Sequence, residues 1–219
     1  SVTIPTGVTS IGGGAFSGCS GLTTLNFNAI NCQNFYKNGN YYNPFSDTSL
    51  TTVNIGDSVR SIPANFVRGC SGLTSVTIPN SVTSIGGSAF SGCSGLTTLN
   101  FNAINCQDFE AYYDYDNGNY YYPFSGTSLT TVNIGDSVQR IPANFVRDCN
   151  GLTSVTVPNS VTEVGHDAFR NCGGLIAAIL GNGVSNVGNN AFKDCPYLTY
   201  LTIGIRLERI DDSAFANCS

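Results

Sequence analysis

Short runs of alternating apolar and polar residues recur along the whole chain. Each run follows the pattern L-x-x-[LVA]-x-[FILV], and successive starts lie 28, 23, 23, 33, 23, 23 and 23 residues apart. The starts are Leu22, Leu50, Leu73, Leu96, Leu129, Leu152, Leu175 and Leu198. Strict alternation over a few residues predicts a short strand with one buried face. Val2 and Ile4 continue the register one unit earlier, so the chain is expected to contain nine units.

The unit that starts at Leu73 shows how one repeat should fold. Alternation places Val76 and Ile78 on one face of a strand, and an Ile85-Gly86 pair follows where we expect a turn, because glycine relaxes the backbone. A single unit cannot bury its apolar face alone, so stacked units should bury a continuous ladder of Leu, Val, Ile and Phe. The strands would then form a parallel sheet that advances about 4.8 Å per coil.

The fixed offsets of Ile-Gly, Ala-Phe and Cys within each unit resemble the BspA-type leucine-rich repeat, whose unit reads roughly LxxLxLPxxLxxIGxxAFxxCxx. The resemblance extends from Ser1 to Ser219, with departures at Phe66-Val67 and Phe145-Val146. It implies a leucine-rich-repeat solenoid of the α/β or mostly β type. Such a fold is a curved, right-handed array of nine coils with one parallel sheet on the concave side and little regular helix.

A larger repeat lies above the single unit. Residues 4–35 match residues 78–109 at 28 of 32 positions, and residues 44–83 match residues 123–162 with few changes. The first two thirds are therefore a tandem copy of a block of three coils, and no linker divides residues 1–219, which we treat as one domain. The absence of a polar terminal unit indicates a fragment of a longer array. End-to-end self-association of separate chains is the alternative.

Composition excludes several classes of function. Apolar residues make up 41% of the chain and charged residues only 11%, with a net charge of −5. Lys and Arg form no cluster, so no nucleic-acid partner is expected. No apolar run approaches the roughly 20 residues of a membrane span, so this segment should not insert into a membrane. The one histidine, His166, has no Ser/His or acidic constellation around it, so we expect neither an enzyme nor a cofactor.

Seven of the nine cysteines share one slot of the unit: Cys19, Cys70, Cys93, Cys149, Cys172, Cys195 and Cys218. Side chains stacked in register lie about 4.8 Å apart, whereas a disulfide prefers a Cβ separation of about 3.8 Å. No C-x-x-C pair exists, and residues 114–118 only partly resemble a calcium loop, because Gly118 comes one position early and no glutamate closes the loop. We therefore expect buried free thiols and no metal site.

The outward positions of the strands are short and uncharged. In the two tandem blocks they include Thr24, Asn26, Thr52, Asn54, Thr98, Asn100, Thr131 and Asn133. β-Propensity and cross-strand contacts between threonines explain these residues without a ligand. The alternative is a polar concave platform for a protein or a glycan.

Two units are longer than the rest, with insertions near residues 28–49 and 102–128. They contain nine of the eleven tyrosines: Tyr36, Tyr41, Tyr42, Tyr112, Tyr113, Tyr115, Tyr120, Tyr121 and Tyr122. The remainder is largely Asn, Gly and Ser, a composition typical of antibody paratopes. Because both insertions leave their units at the same point, we expect them side by side on one flank as an aromatic binding patch. The alternative is that the tyrosines pack the insertions onto the solenoid.

The BspA-type resemblance implies an extracellular or cell-surface protein that adheres to host matrix or to other cells. Together with the tyrosine-rich insertions, it favours a noncatalytic binding or adhesion module for a protein or glycan on a host or neighbouring cell surface. Two other classes stay open. One is a structural spacer or a self-assembling stalk or filament, and the other is a carbohydrate-binding module.

Overall fold

The computed structural model describes residues 1–37, 40–41, 43–114 and 118–218, and this part of the chain contains nineteen strands and no helix. In chain order the strands are β1 (Val2–Ile4), β2 (Thr24–Phe27), β3 (Tyr36–Lys37), β4 (Asn40–Tyr41), β5 (Thr52–Ile55), β6 (Ser61–Ile62), β7 (Ser75–Ile78), β8 (Ser84–Ile85), β9 (Thr98–Phe101), β10 (Tyr112–Asp114), β11 (Asn119–Tyr121), β12 (Thr131–Ile134), β13 (Arg140–Ile141), β14 (Ser154–Val157), β15 (Glu163–Val164), β16 (Ala177–Leu180), β17 (Asn186–Val187), β18 (Tyr200–Thr202) and β19 (Arg209–Ile210).

The main strands, one from each coil, form parallel ladders along one side of a solenoid, which confirms the expected nine coils. They are β1, β2, β5, β7, β9, β12, β14, β16 and β18. In this order they define coils 1 to 9. The register is that of the repeat, because Leu99 pairs with Val76 on one side and with Val132 on the other. Hydrogen-bonded pairing divides the nine strands into three groups of three: β1-β2-β5, β7-β9-β12 and β14-β16-β18.

Each break in the ladder coincides with a proline. Within a group, the residue that follows the strand donates its N–H to the preceding coil, as Asn102 N does to Ile78 O at 3.0 Å. Pro79 and Pro158 occupy this position after β7 and β14, and proline has no N–H to donate. Blocks of three coils therefore meet at two seams, β5/β7 and β12/β14, where the strands pack without bridging.

Phenylalanine rings of successive coils run through the core. The Phe-Val departures from the repeat do not weaken the packing. Phe66 and Phe145 are fully buried and meet Phe27 and Phe101 edge to face, with ring centroids 4.7 and 4.8 Å apart. Such edge-to-face pairs add to the stabilisation from burial alone.

A second ladder, which we call the flank ladder, consists of two-residue strands: β6 and β8, then β13, β15, β17 and β19. The expected turn at Ile85-Gly86 is instead the end of β8, and Gly86 N continues the ladder by donating to Ile62 O at 2.9 Å. Glycine is required here by close packing between coils, because a Cβ on Gly86 would lie 2.6 Å from Ala64 Cα. The coil that carries the second insertion interrupts this ladder between β8 and β13.

Candidate functional site

The cysteine slot holds structural thiols. All nine cysteines lie in the described part of the chain, and none forms a disulfide. Cys93 Sγ donates to Val67 O at 3.2 Å, and Cys172 Sγ donates to Val146 O at 3.3 Å. Burial raises the pKa of Cys93 to about 12, so this thiol stays protonated and unreactive at neutral pH. Cys19 departs from the expected ladder because it is exposed in the first coil.

The histidine lies in a surface turn. Its side chain is exposed, and Nδ1 is 3.4 Å from Oδ2 of Asp167, which also accepts from Arg170 Nη1 at 3.2 Å through Oδ1. His166 therefore belongs to a surface cluster of charged groups. Among the residues that the structure describes, no group of three or more His, Cys, Asp or Glu side chains could hold a metal ion.

Asparagines among the polar outward residues of the main strands form two equivalent ladders. All eight lie on the accessible face: Thr24, Asn26, Thr52, Asn54, Thr98, Asn100, Thr131 and Asn133. Asn54 Nδ2 donates to Asn26 Oδ1 at 2.8 Å, and Asn133 Nδ2 donates to Asn100 Oδ1, also at 2.8 Å. These amides therefore bond along the sheet, one ladder in each of the first two blocks. The threonines beside them are cross-strand neighbours, Thr24 of Thr52 and Thr98 of Thr131.

The seams open two grooves beside these ladders. One groove of about 520 Å³ is lined by Asp57 and Pro79 among others, and one of about 640 Å³ is lined by Asp136 and Pro158. The two pairs are equivalent in the tandem repeat. Both grooves are shallow, and no aromatic residue is among their described lining residues.

The insertions form antiparallel hairpins at the expected place. In the first, β3 pairs with β4, with Tyr36 opposite Tyr41. In the second, β10 pairs with β11, with Tyr112 opposite Tyr121 and Tyr113 opposite Tyr120. Of the tyrosines named above, Tyr42 and Tyr115 lie outside the described residues, as do residues 115–117 of the segment that partly resembles a calcium loop.

The second hairpin folds back across coil 4 and reaches coil 3. The guanidinium carbon of Arg68 lies 5.7 Å from the ring centroid of Tyr112 and 5.0 Å from that of Tyr121. Asn43, from the first insertion, donates through Nδ2 to Arg68 O at 2.6 Å. Both insertions thus contact the same residue of coil 3, on one flank of the solenoid.

A second arginine holds the other end of this hairpin. Arg147 occupies in coil 6 the position that Arg68 occupies in coil 3. Its guanidinium carbon lies 5.0 Å from the ring centroid of Tyr122, and Nη1 donates to the Tyr122 hydroxyl at 3.3 Å. Cation–π contacts of this kind stabilise by about 0.5–2 kcal/mol each. Three of the tyrosines therefore pack the hairpin onto the solenoid.

The remaining two described tyrosines of this hairpin form a cross-strand pair on its other face. The ring centroids of Tyr113 and Tyr120 are 4.8 Å apart, and Tyr120 is 65% exposed. Side chains on adjacent strand residues point to opposite faces. The pair is therefore the part of the hairpin that can contact another molecule.

The base of the second insertion is held by Asp108. Its Oδ1 accepts from Ala143 N at 2.7 Å, and Arg140 Nη1 lies 2.7 Å from the same oxygen. Burial acts to raise the pKa of Asp108, but the hydrogen bonds from Arg140 and from the Ala143 N–H outweigh it, and the pKa is lowered. The carboxylate stays charged at neutral pH, so the anchor persists there.

Between this hairpin and the solenoid lies a groove of about 440 Å³, which we call the flank groove. Its floor is the flank ladder of coils 3 and 4, and its wall is the second insertion. The lining residues are Asn34, Ser61, Ile62, Ala64, Ser84, Ile85, Gly86, Gly87, Gln107, Asp108, Glu110, Ala111, Tyr112 and Tyr113. Tyr112 and Tyr113, both proposed from the sequence, line this groove, whereas the serines of its floor were not anticipated.

Sequence reasoning also missed Arg68, Arg147 and an apolar surface on the last two coils. There, outward positions that are Thr, Ser or Asn in coils 2–7 carry exposed Ile176, Ile179 and Tyr200. The departure of outward residues from the repeat was visible in the sequence. The two arginines were also visible, as paired basic residues that precede Gly69 and Asp148 at the same offset in the tandem blocks.

The fold and the grooves define a type of repeat scaffold, a β-solenoid that displays insertions on one flank. A model of the BspA-type leucine-rich repeat region matches in 6 copies over residues 1–120 and 118–219. The chain belongs to the BspA-type leucine-rich repeat family. No curated protein matches the chain.

Several solved structures are similar to this chain at low identity. A T. pallidum leucine-rich repeat protein, TpLRR, is 21% identical, with a TM-score of 0.44, and the match covers 96% of this chain and 70% of that one. A leucine-rich repeat protein from Bacteroides ovatus is 21% identical, with a TM-score of 0.41 and coverage of 99% and 72%. A leucine-rich cell surface protein from Faecalibacterium prausnitzii is 20% identical, with a TM-score of 0.33 and coverage of 92% and 78%.

Proposed function

We propose that this chain is a noncatalytic binding module of an extracellular or cell-surface protein, and that the second insertion carries recognition. Its partner is a protein or a glycan on a host or neighbouring cell. The observation that supports this function most directly is the hairpin β10/β11. Arginines on two coils fix its position, while Tyr120 on its other face is 65% exposed.

The second insertion is not needed to close a coil. The 23-residue unit that starts at Leu73 forms its strands and its turn without an insertion. Ordering an additional hairpin costs conformational entropy, and long loops on a rigid scaffold are the usual place of function. A rigid aromatic surface also loses little entropy on binding.

The extracellular setting is proposed from the family. One of the similar solved proteins, that of Faecalibacterium prausnitzii, is described as a leucine-rich cell surface protein. In the part of the chain that the structure describes, no helix is long and apolar enough to cross a membrane.

A structural spacer is the second candidate. It is favoured by the apolar side chains that coil 9 exposes: Leu201 at 38%, Ile203 at 40% and Ile210 at 50%. In the inner coils the equivalent positions are buried, or partly buried at Ile55 and Ile134. If the chain forms a self-associating stalk, its molar mass measured by light scattering should rise with protein concentration. If it is a simple binding module, the molar mass should stay constant.

Binding to cells tests the proposal. Fluorescently labelled chain is applied to cultured epithelial cells, and Tyr120→Ala is compared with Tyr197→Ala, a matched control because Tyr197 is also 65% exposed but lies in coil 8. Loss of cell binding in Tyr120→Ala alone supports recognition by the hairpin. Equal binding by the unchanged chain and both variants would contradict it. Treating the cells with trypsin or periodate separates protein from glycan partners.

A further inference from the structure

The flank groove exists because coil 5 leaves the flank ladder. Gln107 N donates to Thr83 O at 2.9 Å, and the chain then departs into the second insertion. In the described structure β8 consequently pairs only with β6, and its other side faces the groove. The floor is therefore an open strand edge flanked by polar side chains.

Gly87 fixes the distance between floor and wall. A Cβ at this position would lie 2.7 Å from Tyr112 N and 3.1 Å from Glu110 O. Only glycine allows the insertion backbone to approach this closely. Together with Arg68 on the Tyr112 ring, this contact holds the wall in place before any ligand binds. Such preorganisation reduces the cost of binding.

The groove offers hydrogen-bonding groups of both kinds. Ser84 Oγ donates to Ser61 Oγ at 3.1 Å, so the Ser61 hydroxyl has its own hydrogen to donate outward. Asn34 Oδ1 accepts from Ala64 N at 2.8 Å, which leaves the Nδ2 group as the donor of that side chain. Gln107 and Glu110 are exposed at the rim, where they add an amide and a carboxylate.

The wall adds aromatic surface. Tyr112 and Tyr113 both line the groove, and Tyr113 lies on the face of the hairpin opposite to the one whose Tyr112 ring contacts Arg68. A binding site for drug-like molecules is mostly apolar, with a few polar groups, whereas this groove is mostly polar with one aromatic wall. That combination suits a sugar ring, which has a C–H face that packs on tyrosine and hydroxyls that pair with amides, hydroxyls and carboxylates.

Charge narrows the class of sugar. The described lining contains two carboxylates, Asp108 and Glu110, and no Lys or Arg. Arg140 is the nearest partner of Asp108 and pairs with it outside the lining. An anionic sugar, sialylated or sulfated, would meet the carboxylate of Glu110, whose charge no Lys or Arg of the described lining offsets. A neutral sugar or an amino sugar would not.

We propose that the flank groove binds a neutral or amino-sugar oligosaccharide, stacked on Tyr113 and hydrogen-bonded by Glu110, Gln107 and Ser61. A volume of about 440 Å³ lies at the lower end of the range of about 300–1,000 Å³ for small-molecule sites, so it accommodates a short segment of a chain. This inference rests on the proposed function, because it names the ligand class that the second insertion recognises.

A glycan array with neutral, amino-sugar, sialylated and sulfated members is the first measurement, and titration calorimetry with the best-bound member is the second. We expect binding to neutral or amino sugars only. Glu110→Gln and Tyr113→Ala should each weaken it at least tenfold, and Tyr113→Phe should retain most of it. Glu208→Gln and Tyr197→Ala, which lie in coils 9 and 8, are the matched controls. Thermal melting verifies that each variant is folded.

The outcomes separate this inference from the proposed function. Binding only to sialylated or sulfated members, or unchanged affinity in Glu110→Gln and Tyr113→Ala, overturns the saccharide assignment. An array without any bound member, together with loss of cell binding in Tyr120→Ala, overturns it as well but supports recognition of a protein by the hairpin. If the array is empty and Tyr120→Ala binds cells normally, both proposals fail.

Discussion

The guanidinium carbon of Arg68 lies 5.0 Å from the ring centroid of Tyr121, although coil 4 separates the coils that carry them. The contact explains how an insertion from coil 5 comes to rest on coil 3. It also places Arg68 in a structural role at a position where the sequence shows only a basic residue before Gly69.

Removing this guanidinium should loosen the hairpin. In Arg68→Ala, we expect the amides of β10 and β11 to lose about 1 kcal/mol of protection, because the cation–π contacts to Tyr112 and Tyr121 are gone. Hydrogen exchange followed by mass spectrometry measures the change. Arg60→Ala is the control, since Arg60 is exposed on the same coil. Equal exchange of the hairpin in both variants would show that Arg68 does not hold it.

Thiol reactivity should distinguish one cysteine from the rest. In the folded protein a thiol reagent should react quickly with Cys19, which is exposed, and slowly with thiols such as Cys93, which are buried and protonated. After denaturation without reductant, close to nine thiols should react. Recovery of one to three thiols would mean that disulfides form in solution.

The buried thiols should also make the fold sensitive to alkali. Burial raises the pKa of Cys93, Cys106 and Cys149 to about 12 from the ordinary 9.0. Between these values the folded chain keeps protons that the unfolded chain has lost, so the free energy of unfolding should fall as pH rises from 9 toward 12. Urea titrations at intervals of one pH unit measure this. Cys149→Ala should show a shallower fall, and an unchanged slope would contradict the assignment.

The two faces of a main strand should differ in their sensitivity to truncation. Leu99 is completely buried, and its neighbours in the ladder, Val76 and Val132, are those expected from the sequence. Leu99→Ala should lower the free energy of unfolding by about 2–5 kcal/mol. Thr98→Ala, one residue away on the accessible face, should change it by about 0.5 kcal/mol or less. Denaturant titration measures both, and equal costs would be inconsistent with this orientation.

Much of the fold could be predicted because it repeats. Each coil places the same residue types at the same offsets, so the alternation around Leu99 was sufficient to give the strand, its buried face and its partners. The seams were not predicted, because Pro79 also belongs to the family pattern. Its effect appears only when the missing N–H is compared with the donor that Asn102 supplies one coil later.

The candidate site could be predicted only in outline. Composition identified the insertions, and the equal exit points placed them on one flank. Composition could not tell which tyrosines pack on the solenoid and which lie on the other face of the hairpin. Tyr112 and Tyr113, for example, are adjacent in sequence and differ only in the side of the hairpin that they occupy. Nor could it reveal the flank groove, whose floor and wall come from residues of three coils that are distant in sequence.

Shortening both insertions tests whether they carry recognition, and the structure sets where the cuts belong. Replacement of residues 33–43 and 107–122, as the sequence alone would suggest, would remove Phe35 and Phe109, which are buried in the core. Replacement of residues 36–42 and 110–121 by short Gly-Ser connections keeps both rings and the Asp108 anchor. We expect the melting temperature to change by a few degrees at most, because the core, the main strands and the flank ladder are untouched.

Binding to cells should disappear in this shortened chain, because the exposed Tyr120, its cross-strand partner Tyr113 and the wall of the flank groove are gone. The control carries the same Gly-Ser connection in place of residues 36–42 only, which leaves the second hairpin and its contacts with Arg68 and Arg147 intact. If the fully shortened chain still binds, the asparagine ladders of the main strands become the candidate binding surface. Cell binding of Asn100→Ala is then the next measurement. If it fails to fold, the contacts of Tyr112 and Tyr121 are a structural requirement of the solenoid.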